Sequence, residues 1–249
     1  MPPQLIVALD IPSSQSLPAL LQSLPREILW FKVGLELFAG EGPRAFAPLR
    51  AQGKKIFLDL KLHDIPNTVE RAVAAAARHD IGMLTLHAAG GRAMLKAAAQ
   101  AAQTFGARAP KLIAVTTLTS LDQADLAEIG IGRTVADQAL CLSELALASG
   151  MDGLVTSALE VESLRRRFGQ GPLLVTPGIR PSCVRQCRTT KGSPSGNTMG
   201  DQKRVATPTL AVRAGSNFLV VGRPIMEAAD PRSAAVAILN EIQDASGKG

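Results

Sequence analysis

Ile56-Phe57-Leu58-Asp59-Leu60-Lys61-Leu62-His63-Asp64-Ile65-Pro66-Asn67-Thr68 is the stretch that decides the fold. Residues 55–60 form a short β-branched and apolar run, the pattern of a buried strand. Asp64 lies beyond the strand, in the turn into the next helix. The Ala-rich run over 68–79 that follows predicts the helix, so the unit is strand, tight turn, helix. Asp59 and Lys61 are two apart and project to the same side of the strand. Charged side chains on the inner face of an apolar strand are costly to bury unless paired. A plain salt bridge, with Asp64 or Asn67 capping the helix, would explain Asp-x-Lys taken alone.

The same unit recurs along the whole chain. Strands are predicted over 5–9, 29–33, 55–60, 83–87, 112–116, 153–156, 173–176 and 218–221. Helices are predicted over 16–23, 42–51, 68–79, 92–103, 135–148, 158–167, 208–213 and 231–242. Strict alternation requires parallel strands joined by crossover helices. Eight units in 249 residues favour a closed barrel over an open doubly wound sheet, so the chain is read as a single (β/α)₈ TIM-barrel domain spanning 1–249. Polar residues at or just past the strand ends (Asp10, Lys32, Asp59, Lys61, His87, Thr119, Arg223) then gather at the carboxyl-terminal rim, where barrel enzymes build their sites. One segment breaks the rhythm. From about 181 to 201 the chain is rich in Gly, Ser, Thr, Pro and cations, and it is expected to be a long mobile loop.

Composition narrows the function classes. Aromatic residues make up 3%, with no Tyr and one Trp, so the core is expected to be aliphatic and a base-stacking surface for single strands is disfavoured. The net charge of +6 and pI near 9.6 suit an anionic partner, but the cations are scattered, which argues against a nucleic-acid binder. Arg165, Arg166 and Arg167 sit near the end of a predicted helix and complement its dipole. Of the three cysteines, Cys141 is expected in the core, and Cys183 and Cys187 as free thiols without zinc-site partners. No apolar stretch approaches the roughly 20 residues of a membrane span, and no charged leader precedes the first strand, so a soluble cytoplasmic protein is expected. No GxGxxG or Walker-type sequence supports a nucleotide cofactor.

Taken together, Asp59-x-Lys61-x-x-Asp64-Ile65-Pro66-x-Thr68 resembles the signature of the orotidine 5′-phosphate decarboxylase family at every specified position. The resemblance extends through Val7-Ala8-Leu9-Asp10, Lys32-Val33-Gly34, Leu86-His87-Ala88, and Ala114 to Ser120. It continues in Val175-Thr176-Pro177-Gly178-Ile179-Arg180-Pro181, Gly200-Asp201-Gln202 and Val221-Gly222-Arg223-Pro224, in family order. It implies cofactor-free, metal-free decarboxylation of orotidine 5′-phosphate to UMP. Lys61 would then protonate C6 of the pyrimidine between Asp59 and Asp64. Asp64 and Thr68 would be supplied to the partner subunit of a homodimer. Lys32 would link the charges to the ribose, Asp10 would bind a ribose hydroxyl and Thr119 the pyrimidine edge. Arg180, Gln202, Gly222 and Arg223 would hold the phosphate. Bacterial members join the Ile-Arg-Pro and Gly-Asp-Gln motifs by a shorter loop, and residues 182–199 depart from that pattern. Here the extra residues suit either a lid over the phosphate, to which Arg185, Arg188 and Lys191 would add contacts, or a tolerated surface excursion.

Two rival classes are weaker. A sugar-phosphate decarboxylase or aldolase of the same suprafamily would need an added acidic residue for Mg²⁺, where strand 2 here carries Lys32. A non-catalytic phosphate-binding barrel would not need Asp59, Lys61 and Asp64 together.

Overall fold

The computed structural model describes residues 2–181 and 203–247. Eight parallel strands close into a barrel in chain order: β1 (Gln4–Leu9), β2 (Trp30–Val33), β3 (Lys55–Leu62), β4 (Met83–His87), β5 (Lys111–Val115), β6 (Gly153–Val155), β7 (Leu173–Thr176) and β8 (Phe218–Val221). β8 pairs back onto β1, with Leu5 opposite Leu219, so no strand edge is left open. This is the predicted (β/α)₈ barrel.

The two-residue period of each strand sorts its side chains between two cores. Ile6, Ala8, Trp30, Phe57, Met83, Ile113, Val175, Phe218 and Val220 point inward and pack as one cluster. Their neighbours, such as Val7, Phe31, Leu58, Leu84, Leu174 and Leu219, face the surrounding helices in a larger, mainly aliphatic layer. The barrel interior departs from the aliphatic expectation. Trp30 and Phe218 meet edge to face at 5.5 Å, with Phe57 in the same cluster. Glycine makes room for this floor, since a Cβ on Gly82 would come within 2.6 Å of the Trp30 ring.

Helices between the strands follow the predicted order, and polar caps start several of them. Thr134 accepts from Asp137 N, Ser157 from Leu159 N, Thr207 from Leu210 N and Asp230 from Arg232 N. The region after β2 differs from expectation. A helix forms at Leu35–Glu41, and the predicted 42–51 helix divides into a 3₁₀ turn, Gly42–Phe46, and a short helix, Ala47–Ala51. Gly42 adopts φ 58 and ends the first helix, while Pro43 and Pro48 each occupy the start of a new one. Short helices at Gln123–Glu128 and Arg223–Met226 also lie outside the predicted set. Cys141 is half-buried beside Arg133, whose Nη1 donates to its Sγ at 2.7 Å, and so it is not a core residue. Cys183, Cys187 and the 182–199 insertion lie outside the described residues. Among the described residues no helix is long and apolar enough to cross a membrane.

Candidate active site

The end of β3 is irregular, and this irregularity aims the charged residues. β3 pairs with β4 in register at Phe57↔Met83 and Leu58↔Leu84, but the next pair is Leu62↔Leu86, four residues of β3 against two of β4. Within the slipped stretch Lys61 takes φ 50, a left-handed conformation that costs a side-chain-bearing residue roughly 1–2 kcal/mol. Thr85, on β4 between Leu84 and Leu86, fills the gap. Its hydroxyl accepts from Lys61 N at 2.8 Å and donates to Asp59 Oδ1 at 2.9 Å. The backbone N–H freed by the bulge is thus satisfied, and Asp59 is fixed by the same hydroxyl. Thr85 is fully buried and was absent from the sequence-based site; its only signal is a polar residue at an inward position of an apolar strand. Asp59 and Lys61 do share a side, as the spacing predicts, but through a bulge and not a regular pleat.

From Lys61 a string of alternating charge runs across β3, β2 and β1. Lys61 Nζ donates to both Asp59 oxygens at 2.8 Å. Lys32 Nζ lies 3.6 Å from Asp59 Oδ2 and donates to Asp10 Oδ1 at 2.8 Å. Asp59 and Lys32 are nearly enclosed, with side chains 10% and 12% exposed, whereas Asp10 reaches solvent. Burial alone would raise the Asp59 pKa. The Lys61 and Lys32 cations and the Thr85 hydroxyl overcome it and hold the carboxyl below its usual range. With the folded value depressed, the stability gained from ionised Asp59 is present above its unfolded pKa and is lost as pH falls through the folded one. Gly34 leaves space for the string, since a Cβ there would fall 2.7 Å from Lys32 Nζ.

A cavity of about 1070 Å³ opens over these residues at the carboxyl-terminal rim. Asp10, Lys32, Asp59 and Lys61 line the β1–β3 side, and Arg180, Gly222 and Arg223 line it beyond β7 and β8. Thr119 also lines it, but from a loop: β5 ends at Val115, so this threonine stands four residues beyond the strand on which it was expected. Thr117 and Leu118 of the same loop line the cavity beside it. Arg223 likewise begins the short helix after β8, with Gly222 at its N-cap.

Asp64 and Thr68 are not brought to this cavity within one chain. Both are exposed, as are all residues from 63 to 68, with Ile65 at 66% exposure. Asp64 accepts only from the adjacent Ile65 N, and the helix Pro66–Ala77 has Ile65 as its N-cap with no side-chain bond. The capping explanation for Asp64 or Asn67 therefore fails. Gln202 lies outside the described residues. His87, at the end of β4, stacks obliquely on His63 at 5.3 Å, and burial first, then His63 and Lys61, lower its pKa and favour the neutral ring. Among the described residues no group of three or more His, Cys, Asp or Glu side chains is arranged to hold a metal ion.

This arrangement offers a fixed ammonium beside a buried carboxylate and two arginines on the far rim, a site shaped for an anionic molecule with a polar body. Comparison with known proteins agrees with that chemistry. Residues 3–238 match the model of the Orotidine 5'-phosphate decarboxylase / HUMPS family. The chain is 47% identical to the orotidine 5′-phosphate decarboxylase of Halorhodospira halophila, over 97% of this chain and 96% of that one. It is 45% identical to that of Hydrogenovibrio crunogenus, over 99% and 97% respectively. The crystal structure of orotidine 5′-phosphate decarboxylase from Lactobacillus acidophilus superimposes with a TM-score of 0.80 at 40% identity, covering 96% of this chain and 99% of that one.

Proposed function

The chain belongs to the Orotidine 5'-phosphate decarboxylase / HUMPS family, and from that premise we propose that it removes CO₂ from orotidine 5′-phosphate to give UMP, a step of pyrimidine nucleotide synthesis, with Lys61 as proton donor. The observation that carries the reading is the Asp10–Lys32–Asp59–Lys61 string along one wall of the cavity. When the bond from C6 to the carboxylate breaks, its electron pair remains on an sp² carbon with no adjacent electron sink. Stabilisation then falls to fixed charge. A lysine ammonium has three N–H donors, and Asp59 engages two of the Lys61 set. The third is left to face C6 and, once CO₂ has departed, to pass its proton there. Asp59 keeps the ammonium oriented and lies where the departing carboxylate would sit.

The remaining assignments follow the same reading. Asp10 and Lys32 bind the ribose, Thr119 the pyrimidine edge, and Arg180, Gln202, Arg223 and the Gly222 backbone the phosphate. Guanidinium pairs suit a phosphate because their donors match its oxygens. Asp64 and Thr68 act in the site of a second copy of the chain, which agrees with their exposure on a turn that also presents the apolar Ile65. Lys32 on β2, in place of the acidic ligand of the metal-dependent suprafamily members, favours decarboxylation without metal. The test is the loss of orotate-type absorbance when the protein meets orotidine 5′-phosphate in excess EDTA. Turnover is expected at the same rate with and without chelator. Inactivation by EDTA with recovery on adding Mg²⁺ would replace this reading with a metal-dependent one.

A further inference from the structure

The loop after β5 has no sheet partner, yet its carbonyls are held by one distant residue and its neighbour. Arg204 Nη2 donates to Thr117 O and to Leu118 O, both at 3.0 Å. The backbone N–H groups of Lys203 and Arg204 donate to Thr119 O at 3.1 and 3.3 Å. Three consecutive carbonyls are therefore fixed by two residues more than 80 positions further on. The other arm of the Arg204 fork is bound by Glu160, which also accepts from the Thr156 hydroxyl at 3.3 Å. Glu160 and Arg204 are both deeply buried, with side chains 7% and 11% exposed. Lys203 closes the junction on the outside, its Nζ reaching Asp122 Oδ2 and Asp125 Oδ2 at 2.7 Å.

A buried ion pair contributes little net stability compared with well-packed apolar side chains, so stability is a weak reason for this one. Geometry gives a better one. A planar guanidinium can hold a carboxylate with one nitrogen and two carbonyls with another, and a lysine ammonium cannot span the three. The residues so held, Thr117, Leu118 and Thr119, line the cavity. We infer that Arg204, anchored by Glu160, is a positioning residue that sets the loop after β5 and so places Thr119 against the substrate. This rests on the decarboxylase reading above, in which Thr119 meets the pyrimidine edge.

A double-mutant cycle tests it on the full chain, with Arg204→Lys, Thr119→Ala and the pair combined, assayed on orotidine 5′-phosphate. Arg204→Lys retains a cation for Glu160, so its melting temperature should stay within a few degrees of wild type. Its kcat/KM should fall about tenfold or more, because small misplacements at a reacting site are costly. Thr119→Ala should lose a comparable factor. The double variant should be little worse than the weaker single, since both remove one contact. If Arg204→Lys fails to fold, Glu160→Gln with Arg204→Met removes both charges together and serves in its place. Full activity in the Arg204 variant, or losses that multiply in the double variant, would overturn the inference. A wild-type protein inactive on the nucleotide would instead overturn the decarboxylase reading, so the two failures are distinguishable.

Discussion

Replacing Lys61 by alanine is expected to abolish turnover while leaving the barrel folded. Two losses combine in this variant. Under the proposed mechanism the proton donor to C6 disappears, which for general acids amounts to roughly 10²–10⁴ in rate. The same proposal has the ammonium stabilise the developing carbanion, and its loss adds about 10²–10³ for a single preorganised donor. A fall of at least about 10⁴-fold, or ~5.4 kcal/mol in barrier, is therefore expected. The fold should tolerate the change. Alanine keeps a Cβ, so the cost of φ 50 is the same as for lysine. Asp59 would keep the Thr85 hydroxyl and Lys32 at 3.6 Å as partners, so its charge is not left alone in the barrel. Circular dichroism and a melting curve would establish folding, and single-turnover kinetics the rate. A folded variant with more than about a tenth of the wild-type rate, a barrier change under ~1.4 kcal/mol, would remove Lys61 from the mechanism.

The second large effect is a recovery. If the chain forms the proposed homodimer with shared sites, Lys61→Ala and Asp64→Ala should each be inactive alone, yet activity should appear when the two are mixed and allowed to exchange subunits. Lys61 lines the cavity of its own chain, whereas Asp64 is exposed on the turn beyond β3 and has no contact with Lys61 within that chain. In a hybrid dimer with shared sites, one site carries both lesions and the other carries neither. Random exchange of equal amounts would then restore about a quarter of the wild-type sites, given two-fold symmetry. If each chain built its own site entirely, every site in the hybrid would carry one lesion and no activity would return. Absence of recovery after demonstrated exchange would exclude the shared site.

Much of this architecture was legible because two periods dominate the chain. The strands at Met83–His87, Leu173–Thr176 and Phe218–Val221 match the predicted bounds, since short β-branched runs between turn residues leave little choice of register. The helix at Leu35–Glu41 was not legible, because Gly42 and the prolines at 43 and 48 obscure where one helix stops and the next begins. In the site, Asp10, Lys32, Asp59 and Lys61 stand out as charges on, or one residue past, otherwise apolar strands. Thr85, Glu160 and Arg204 do not, because each reads locally as an ordinary polar residue and acquires its role only through contacts across the fold. The slip between β3 and β4 has no sequence signal beyond Thr85 itself, and it decides the backbone of Lys61.

The most direct test of the account follows the proton. The protein is incubated with orotidine 5′-phosphate and excess chelator in D₂O, and released CO₂ and the nucleotide product are measured together, the latter by NMR. One CO₂ is expected for each UMP formed, with deuterium at C6 delivered from the exchanged Lys61 ammonium. Unreacted orotidine 5′-phosphate in the presence of the folded protein would contradict that expectation.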